Sequence, residues 1–468
     1  SALNELMIYK YEDCDSNSAV RSATWYDSVN ANSSTKTVTD SATGKHTIQA
    51  PNDLTFIEAE ALETGEFRMA DTTALAGYAK DGKNYKYVVR MQELEEAGSR
   101  APRETKLSDT AGDVNYIDDL DKYEGQNFQS VAKGDFDNDG VETLIAAYMN
   151  QSGGKMRVSI KEINVKSGNV IDSGVVCEEG SRSYSDRECY TSVDVAVGDF
   201  NRDNYDDIAV ITYTGDRKDS WKAPQLKVYS GGEKKAGKSY FSKPSVDVPV
   251  IDPTRENSTM LAPAIAAGDV NGDKVEELVV GGMHLTTSDG DSSRDIDKDK
   301  SIIALYNLTN VKKEIKYAAG NTQFMQVDTN KFTRTGLYTS DWIFQPSCLE
   351  TVATEGPLYQ ETIFLNGTLY KMKNGLLEEV TTPEYFNHAD SGAGRFAVTN
   401  TWVDCAAVGN FDGNTAGREQ IVYVVALKHR SSSGNHFRLG MIGGSEFDDE
   451  KVNNEIKTFG PMTKTFAP

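Results

Sequence analysis

Acidic and amide side chains recur at alternate positions in three short stretches of the chain. With the first Asp of a stretch as position 1, they occupy positions 1, 3 and 5 in each stretch, and also position 9 in the second and third. They are Asp135, Asp137 and Asp139; Asp199, Asn201, Asp203 and Asp207; and Asp269, Asn271, Asp273 and Glu277. Because alternate residues of a tight loop point to one side, these oxygens converge as the ligands of a hard cation do.

The first stretch departs from this pattern at position 9, and a fourth, looser stretch departs from it more widely. The first has Thr143 at position 9, with Glu142 beside it. A looser fourth stretch offers Asn410, Asp412 and Asn414, and its next acid, Glu419, is displaced by an insertion. The sequence therefore predicts three cation sites and leaves a fourth open.

Calcium fits these stretches better than magnesium, because it accepts six to eight oxygens in irregular geometry, including backbone carbonyls and water. Two carboxylates about 4 Å apart repel by about 4 kcal/mol at an effective dielectric constant of 20, so several in one loop favour a bound cation. The alternative is a solvated Asp/Asn turn, which three regular copies disfavour.

An EF-hand loop is excluded by the residues on the C-terminal side of each stretch. An EF-hand requires an acidic ligand at loop position 12 and helical flanks. Position 12 is Ala146, Val210 or Val280 in the three good copies, inside apolar segments rich in β-branched residues. These flanks predict strands on both sides of each loop.

The three loops belong to a longer repeat. VAKGDFDNDGVETLIAAYM (131–149), VAVGDFNRDNYDDIAVITY (195–213) and IAAGDVNGDKVEELVVGGM (265–283) each read as strand, acidic loop and strand. Their first Asp residues lie roughly 65 to 70 residues apart, whereas the fourth stretch comes at about twice that interval. A copy without the acids is therefore expected within 347–375, which gives five units over 128–468.

Further short strands in each unit favour four-stranded antiparallel blades arranged radially, as in a β-propeller. A chain of 468 residues would hold about seven such blades in a single domain over 1–468. Residues 1–127 would supply the remaining blade or blades without a recognisable motif, and the Ser/Thr/Asn-rich segment 27–45 is expected to be an exposed loop.

The charge and hydropathy of the chain limit its partners. A formal net charge of −22 disfavours nucleic acid, because no basic stripe offsets the long-range repulsion. The sequence contains no run of about 18 apolar residues, so no transmembrane segment is predicted. Gly232 to Ser239 satisfies the phosphate-loop pattern GxxxxGK[ST], but Pro244 and Pro249 oppose the helix that such a loop requires, so a turn between outer strands is expected.

The motif Gly-Asp-x-[Asp/Asn]-x-Asp-x-x-x-[Asp/Glu]-[Ile/Leu] resembles the FG-GAP (VCBS-type) repeat of integrin α-subunit propellers and bacterial secreted proteins. The resemblance covers about 128–427 and implies a seven-bladed propeller with structural Ca²⁺ in loops that join the first two strands of some blades. It also implies an extracellular, secreted or cell-surface protein that binds a protein or a glycan. The alternative is a polysaccharide lyase or glycoside hydrolase on a similar calcium-binding propeller.

Overall fold

Short segments rich in β-branched residues form antiparallel strands throughout the computed structural model of the protein. The structure describes residues 6–10, 22–26, 36–39, 56–65, 72–81, 84–93, 103–106, 129–152, 155–165, 167–178, 189–216, 220–221, 224–233, 237–250, 258–286, 296–310, 312–328, 348–357, 359–381, 398–409, 417–429, 435–443 and 457–458. Among them there is no α-helix, and two 3-10 turns lie at Tyr240–Ser242 and Ala319–Asn321.

The first four sheets succeed one another along the chain. Sheet 1 contains β1 (Leu6–Lys10), β2 (Ser22–Tyr26) and β3 (Lys36–Thr39). Sheet 2 contains β4 (Phe56–Gly65), β5 (Thr72–Asp81), β6 (Asn84–Glu93) and β7 (Arg103–Lys106). Sheet 3 contains β8 (Gln129–Gly134), β9 (Thr143–Ser152), β10 (Lys155–Asn164) and β11 (Asn169–Glu178). Sheet 4 contains β12 (Cys189–Gly198), β13 (Asp207–Asp216), the short β14 (Ser220–Trp221), β15 (Gln225–Tyr229) and β16 (Val246–Pro249).

Three more sheets complete the described chain. Sheet 5 contains β17 (Ser258–Gly268), β18 (Glu277–Thr286), β19 (Ile296–Tyr306) and β20 (Thr322–Asp328). Sheet 6 contains β21 (Leu349–Val352), β22 (Thr362–Leu365), β23 (Thr368–Lys373) and β24 (Leu376–Thr381). Sheet 7 contains β25 (Val398–Gly409), β26 (Gln420–His429), β27 (Asn435–Gly443) and β28 (Lys457–Thr458).

The strands pair in chain order within each sheet, apart from β14, which pairs only with β13. The predicted all-β fold of antiparallel, mostly four-stranded sheets is confirmed. Sheet 6 lies where the acid-free copy was expected, and the N-terminal segment holds sheets 1 and 2. The expectation of a loop over 27–45 is wrong at β3, where the alternating Thr and Val of KTVT favour an extended strand that pairs with β2.

The chain forms two compact units. One comprises Ser1–Asp13, Ser18–Asp199 and Asp203–Pro249, and the other comprises Cys14–Asn17, Phe200–Arg202 and Val250–Pro468. Within the first unit β8 packs beside both β4 and β12, and within the second β21 packs beside both β17 and β25. Within sheets 2 to 4, and again within sheets 5 to 7, the first strands of consecutive sheets therefore lie side by side, a propeller-like arrangement that brings their connecting loops together.

Each unit has its own apolar core. In the first, buried residues of sheets 3 and 4 pack together, among them Leu144, Ile160, Val210 and Tyr229. In the second, residues of sheets 5 and 6 do the same. Within the described part of the chain, no helix has the length and apolar character that a bilayer crossing requires.

Candidate metal-binding loops

Each acidic stretch joins the first strand of a sheet to its second strand, as predicted. Loop 135–143 comes after β8, loop 199–207 after β12 and loop 269–277 after β17. Position 12 lies within β9, β13 or β18, which confirms the strand flanks that exclude an EF-hand. All three loops therefore occupy the same place in their sheets.

The three loops share one backbone conformation. Positions 4 and 6 have positive φ in every loop, at Asn138 (53°) and Gly140 (77°), Arg202 (63°) and Asn204 (69°), and Gly272 (81°) and Lys274 (65°). Left-handed conformations cost free energy for residues other than Gly, Asn and Asp, so Arg and Lys are held in them by the rest of the loop. Three sequences that differ at these positions thus form the same turn.

The carboxylate at position 1 stabilises this turn by accepting backbone N–H groups from across the loop. Asp135 accepts from Asp139 (3.0 Å) and Gly140 (2.8 Å), Asp199 accepts from Asp203 (3.0 Å) and Asn204 (2.9 Å), and Asp269 accepts from Gly272 (2.7 Å) and Lys274 (2.9 Å). Each of its two oxygens takes one of these bonds, and a carboxylate oxygen has two acceptor sites.

Position 5 repeats a second contact in all three loops. Its carboxylate accepts the N–H of position 7: Asp139 accepts from Val141 (2.7 Å), Asp203 from Tyr205 (3.0 Å) and Asp273 from Val275 (2.9 Å). These Asx-type contacts fix the side chain that would provide a third ligand. Position 2 is a buried apolar residue, Phe136, Phe200 or Val270, which secures the base of the loop.

Loop 135–143 brings three carboxylates together. Oxygens of Asp135, Asp137 and Asp139 all lie within 4.8 Å of one another, the only such group of acidic, His or Cys residues among the described residues. The last two residues of the loop, Glu142 and Thr143, form hydrogen bonds to residues outside it. Thr143 donates to Glu162 (3.0 Å), and Glu142 forms an ion pair with Lys133 (3.0 Å).

Loop 199–207 directs its last acid toward the rest of sheet 4. Asp207 is completely buried, and its carboxylate accepts the N–H of Gly231 (3.0 Å) in the segment after β15. Asn201 is also buried. Asp199 and Asp203 accept backbone N–H groups across the turn, so this loop offers two carboxylates, one amide and a buried acid at its base.

Loop 269–277 turns its last acid back into the loop. Glu277 accepts the N–H groups of Val270 (3.1 Å) and Asn271 (3.2 Å), and its other oxygen accepts from the Asn271 side chain. Burial and, to a lesser extent, the negative charge of Asp273 raise the pKa of Glu277 from 4.5 to about 8. A divalent cation would stabilise the charged form of such a carboxylate, which is buried and lies beside two other acids.

The donors present fit calcium in all three loops. Each has carboxylates at positions 1 and 5, an acid or an amide at position 3, and an ordered turn, and in loop 135–143 the three carboxylates lie within 4.8 Å of one another. These are the hard oxygen ligands and the irregular geometry that Ca²⁺ accepts. Water would complete the coordination of loop 135–143, whose position 9 is Thr143.

The remaining predicted ligands lie elsewhere. Asn410, Asp412 and Asn414 are outside the described residues. The corresponding segment of sheet 6, 353–361, begins with Ala353 and carries Glu355, which forms an ion pair with Lys371 (2.6 Å). The sequence pattern correctly indicated a copy that has lost the metal-type acids.

One set of acids could not be recognised as functional from the sequence. An acidic residue immediately precedes the second strand of sheets 3 to 7, at Glu142, Asp206, Glu276, Glu361 and Glu419. Asp206, Glu361 and Glu419 form hydrogen bonds to the loop of the preceding sheet. Burial raises the pKa of Asp206, as do the charges of Asp135 and Asp199, although the hydrogen bond from the Asp135 N–H lowers it.

The phosphate-loop pattern at 232–239 lies between β15 and β16, as a turn between outer strands was expected to do. Ser239 accepts the N–H of Phe241 (3.0 Å) and begins the 3-10 turn Tyr240–Ser242, which is only three residues long. An α-helix N-terminus that could bind phosphate does not come after the pattern.

Comparison with known proteins yields only distant similarity. No protein-family model matches the chain, and no curated protein matches it. The crystal structure of the polysaccharide lyase Uly1 matches 86% of this chain and 94% of its own, at 10% identity and a TM-score of 0.37. The periplasmic gluconolactonase PpgL of Pseudomonas aeruginosa matches 98% of this chain and 96% of its own, at 11% identity and a TM-score of 0.38. Both similarities are too distant to assign an activity.

Proposed function

We propose that the protein is a calcium-stabilised β-propeller of the FG-GAP type, with its seven sheets as blades, and that it binds an extracellular protein or glycan. In this proposal it acts as a secreted or cell-surface adhesion module, and calcium has a structural role. The observation that carries the calcium assignment is the common geometry of the three loops, in which different sequences place oxygen ligands on one turn.

The residues that would hold calcium are those at positions 1, 3 and 5, joined by Glu277 in loop 269–277 and Asp207 in loop 199–207. Bound calcium would neutralise carboxylates that otherwise repel one another. The chain's own contribution is to order the turn through N–H bonds to positions 1 and 5. Binding to the folded state alone would stabilise it by about 2.7 kcal/mol per site when free calcium is 100 times Kd.

Calcium titration by isothermal calorimetry, combined with thermal melts in calcium and in excess EDTA, tests this proposal. We expect about three binding events and a clear fall in Tm on chelation. Asp137→Asn should weaken one binding event about tenfold or more, because it removes one of three clustered carboxylates. Asp247→Asn, the same change at an exposed site on β16, is the control and should alter nothing. A melt unaffected by EDTA, with no heat of binding, would refute the calcium assignment.

The binding role is tested separately from the metal. A glycan array and a screen against extracellular proteins should identify a ligand of the calcium-loaded protein. An activity assay on a panel of acidic polysaccharides is the counter-test. Depolymerisation of any of them would show that the chain is an enzyme and would replace the binding role.

A further inference from the structure

Sheets 3 and 4 are joined at a metal loop by a reciprocal pair of hydrogen bonds. The N–H of Asp135 donates to the Oδ2 atom of Asp206 (2.7 Å), and the N–H of Asp206 donates to the carbonyl oxygen of Asp135 (3.3 Å). Asp206 is the acid immediately before β13, whereas Asp135 is position 1 of the loop in the preceding sheet. The Asp206 side chain of sheet 4 therefore fixes the backbone of Asp135, the first candidate ligand in the loop of sheet 3.

The same pair recurs between sheets 6 and 7. The N–H of Ala353 donates to the Oε2 atom of Glu419 (2.8 Å), and the N–H of Glu419 donates to the carbonyl oxygen of Ala353 (3.1 Å). Glu419 is the acid immediately before β26, and Ala353 begins the segment after β21. The two junctions match in the chemical groups that they use.

The junction between sheets 5 and 6 keeps part of this arrangement. The N–H of Glu361 donates to the carbonyl oxygen of Asp269 (2.8 Å), and the neighbouring Gln360 side chain donates to the carbonyl oxygen of Val270 (2.8 Å). Here the loop backbone is again held by residues just before the second strand of the next sheet.

The junction at Ala353 separates this contact from metal binding. Ala353 has no side-chain oxygen, and the segment after it lacks the alternating acids, yet Glu419 still makes both bonds. The acid before the second strand therefore does not need a metal site in the preceding loop. Its partner is the backbone N–H, to which a carboxylate forms a strong charge-assisted hydrogen bond.

We propose that Asp206 and Glu419 are latches that join consecutive sheets, and that Asp206 is a positioning residue for the metal site of loop 135–143. The second part rests on the calcium binding of the proposed function, whereas the first does not. Asp206 holds both backbone polar groups of Asp135, whose carboxylate is the first ligand. Gly232 adds a third contact to the same loop, because its N–H donates to the carbonyl oxygen of Phe136 (2.8 Å).

Hydrogen–deuterium exchange in EDTA tests the latch without any metal. Asp206→Ala removes the acceptor of the Asp135 N–H, and exchange of peptides covering 135–143 should accelerate about tenfold or more. Asp206→Asn keeps an acceptor oxygen and should lie between Ala and the wild type. Asp247→Asn, the same charge change at an exposed site of sheet 4, should leave this exchange unchanged. Equal exchange in Asp206→Ala and the wild type would overturn the latch.

The same measurement during a calcium titration tests the positioning role. The calcium concentration that half-protects loop 135–143 should rise about three- to tenfold in Asp206→Ala and less in Asp206→Asn. Loop 269–277, which Asp206 does not contact in the described structure, is the internal reference and should keep its midpoint. An unchanged midpoint in loop 135–143 would refute the positioning role. If the wild type gains no protection from calcium, the proposed function fails, and the latch is decided by the exchange in EDTA alone.

If Asp206→Ala does not fold, Asp206→Asn carries both tests. Its neutral amide should still increase exchange of 135–143 in EDTA by a few-fold, because a neutral hydrogen bond is about half as strong as a charge-assisted one. Exchange and midpoint both equal to those of the wild type would then overturn the proposal.

Discussion

Gly231→Ala should destabilise the junction between sheets 3 and 4 more than any surface change. A Cβ atom at this position would lie 2.3 Å from the carbonyl oxygen of Asp206 and 2.9 Å from that of Phe136. Ordinary van der Waals contacts of a Cβ begin at 3.4 Å. Because both clashing atoms belong to the backbone, neither can rotate away. Sheet 4 must therefore shift by about 1 Å at Asp206, and its junction with sheet 3 must open by about 0.5 Å at Phe136.

The structure gives the size of this effect. Overpacking of a dense site costs about 1–3 kcal/mol. The displacement of this segment also breaks two hydrogen bonds, from Gly231 to Asp207 within sheet 4 and from Gly232 to Phe136 across the junction, each contributing about 0.5–1.5 kcal/mol. We therefore expect the free energy of unfolding of this unit to fall by about 2–6 kcal/mol.

Urea unfolding followed by circular dichroism measures this loss. The matched control is Gly320→Ala in the 3-10 turn Ala319–Asn321, where an added Cβ meets nothing within 4 Å. That variant should match the wild type or gain less than about 1 kcal/mol from a stiffer unfolded chain. A Gly231→Ala protein with the wild-type midpoint and slope would refute the close approach of the two sheets.

Two further predictions concern buried aromatic residues. Phe136→Ala should lower the free energy of unfolding by about 3–5 kcal/mol in urea melts, because its side chain is 2% exposed in the first core. Tyr359→Ala, at a residue 58% exposed, is its control, and equal losses in the two variants would contradict this packing. Burial and, to a lesser extent, the charges of Asp247 and Cys177 raise the pKa of Tyr229 from 10.0 to about 12. The neutral phenol is therefore favoured in the folded state, and its contribution to stability is present below pH 10 and lost as the pH rises through about 12. Tyr229→Phe should reduce the fall in unfolding free energy over that range, whereas an unchanged slope of stability against pH would contradict the prediction.

Local sequence patterns were sufficient to predict the three acidic loops and the strands that flank them. Alternating β-branched residues indicated the strands, and Gly-Asp with spaced acids after it indicated where the chain turns between the first two strands of a sheet. The turn itself is local, since positions 1 and 5 bond N–H groups no more than five residues away. Short-range chemistry of this kind can be read from the sequence.

The contacts of the residue at position 9 could not be predicted from the sequence. Thr143, Asp207 and Glu277 occupy the same place in their loops but contact Glu162, Gly231 and Asn271, respectively. Two of these partners lie 19 and 24 residues away, on other parts of the sheet. The choice between a ligand position and a packing position therefore depends on the tertiary structure.

The latch acids gave a signal in the sequence, but its meaning needed the structure. An acid stands just before each of five second strands, and in loops 199–207 and 269–277 it is the neighbour of the predicted last metal ligand. Asp206 and its partner Asp135 are 71 residues apart. Neither residue type nor spacing indicates that this carboxylate accepts a backbone N–H from the preceding sheet.

The pair formed by Glu419 and Ala353 has a consequence for how such a chain can change over time. If the contact between two consecutive sheets depended on a bound metal, loss of the metal-binding acids would weaken that contact. Since the attachment at Ala353 uses only a backbone N–H and carbonyl, substitutions can remove the acids of a loop while the sheets stay joined. The surface of that loop can then carry other side chains, and in 353–361 it exposes Tyr359.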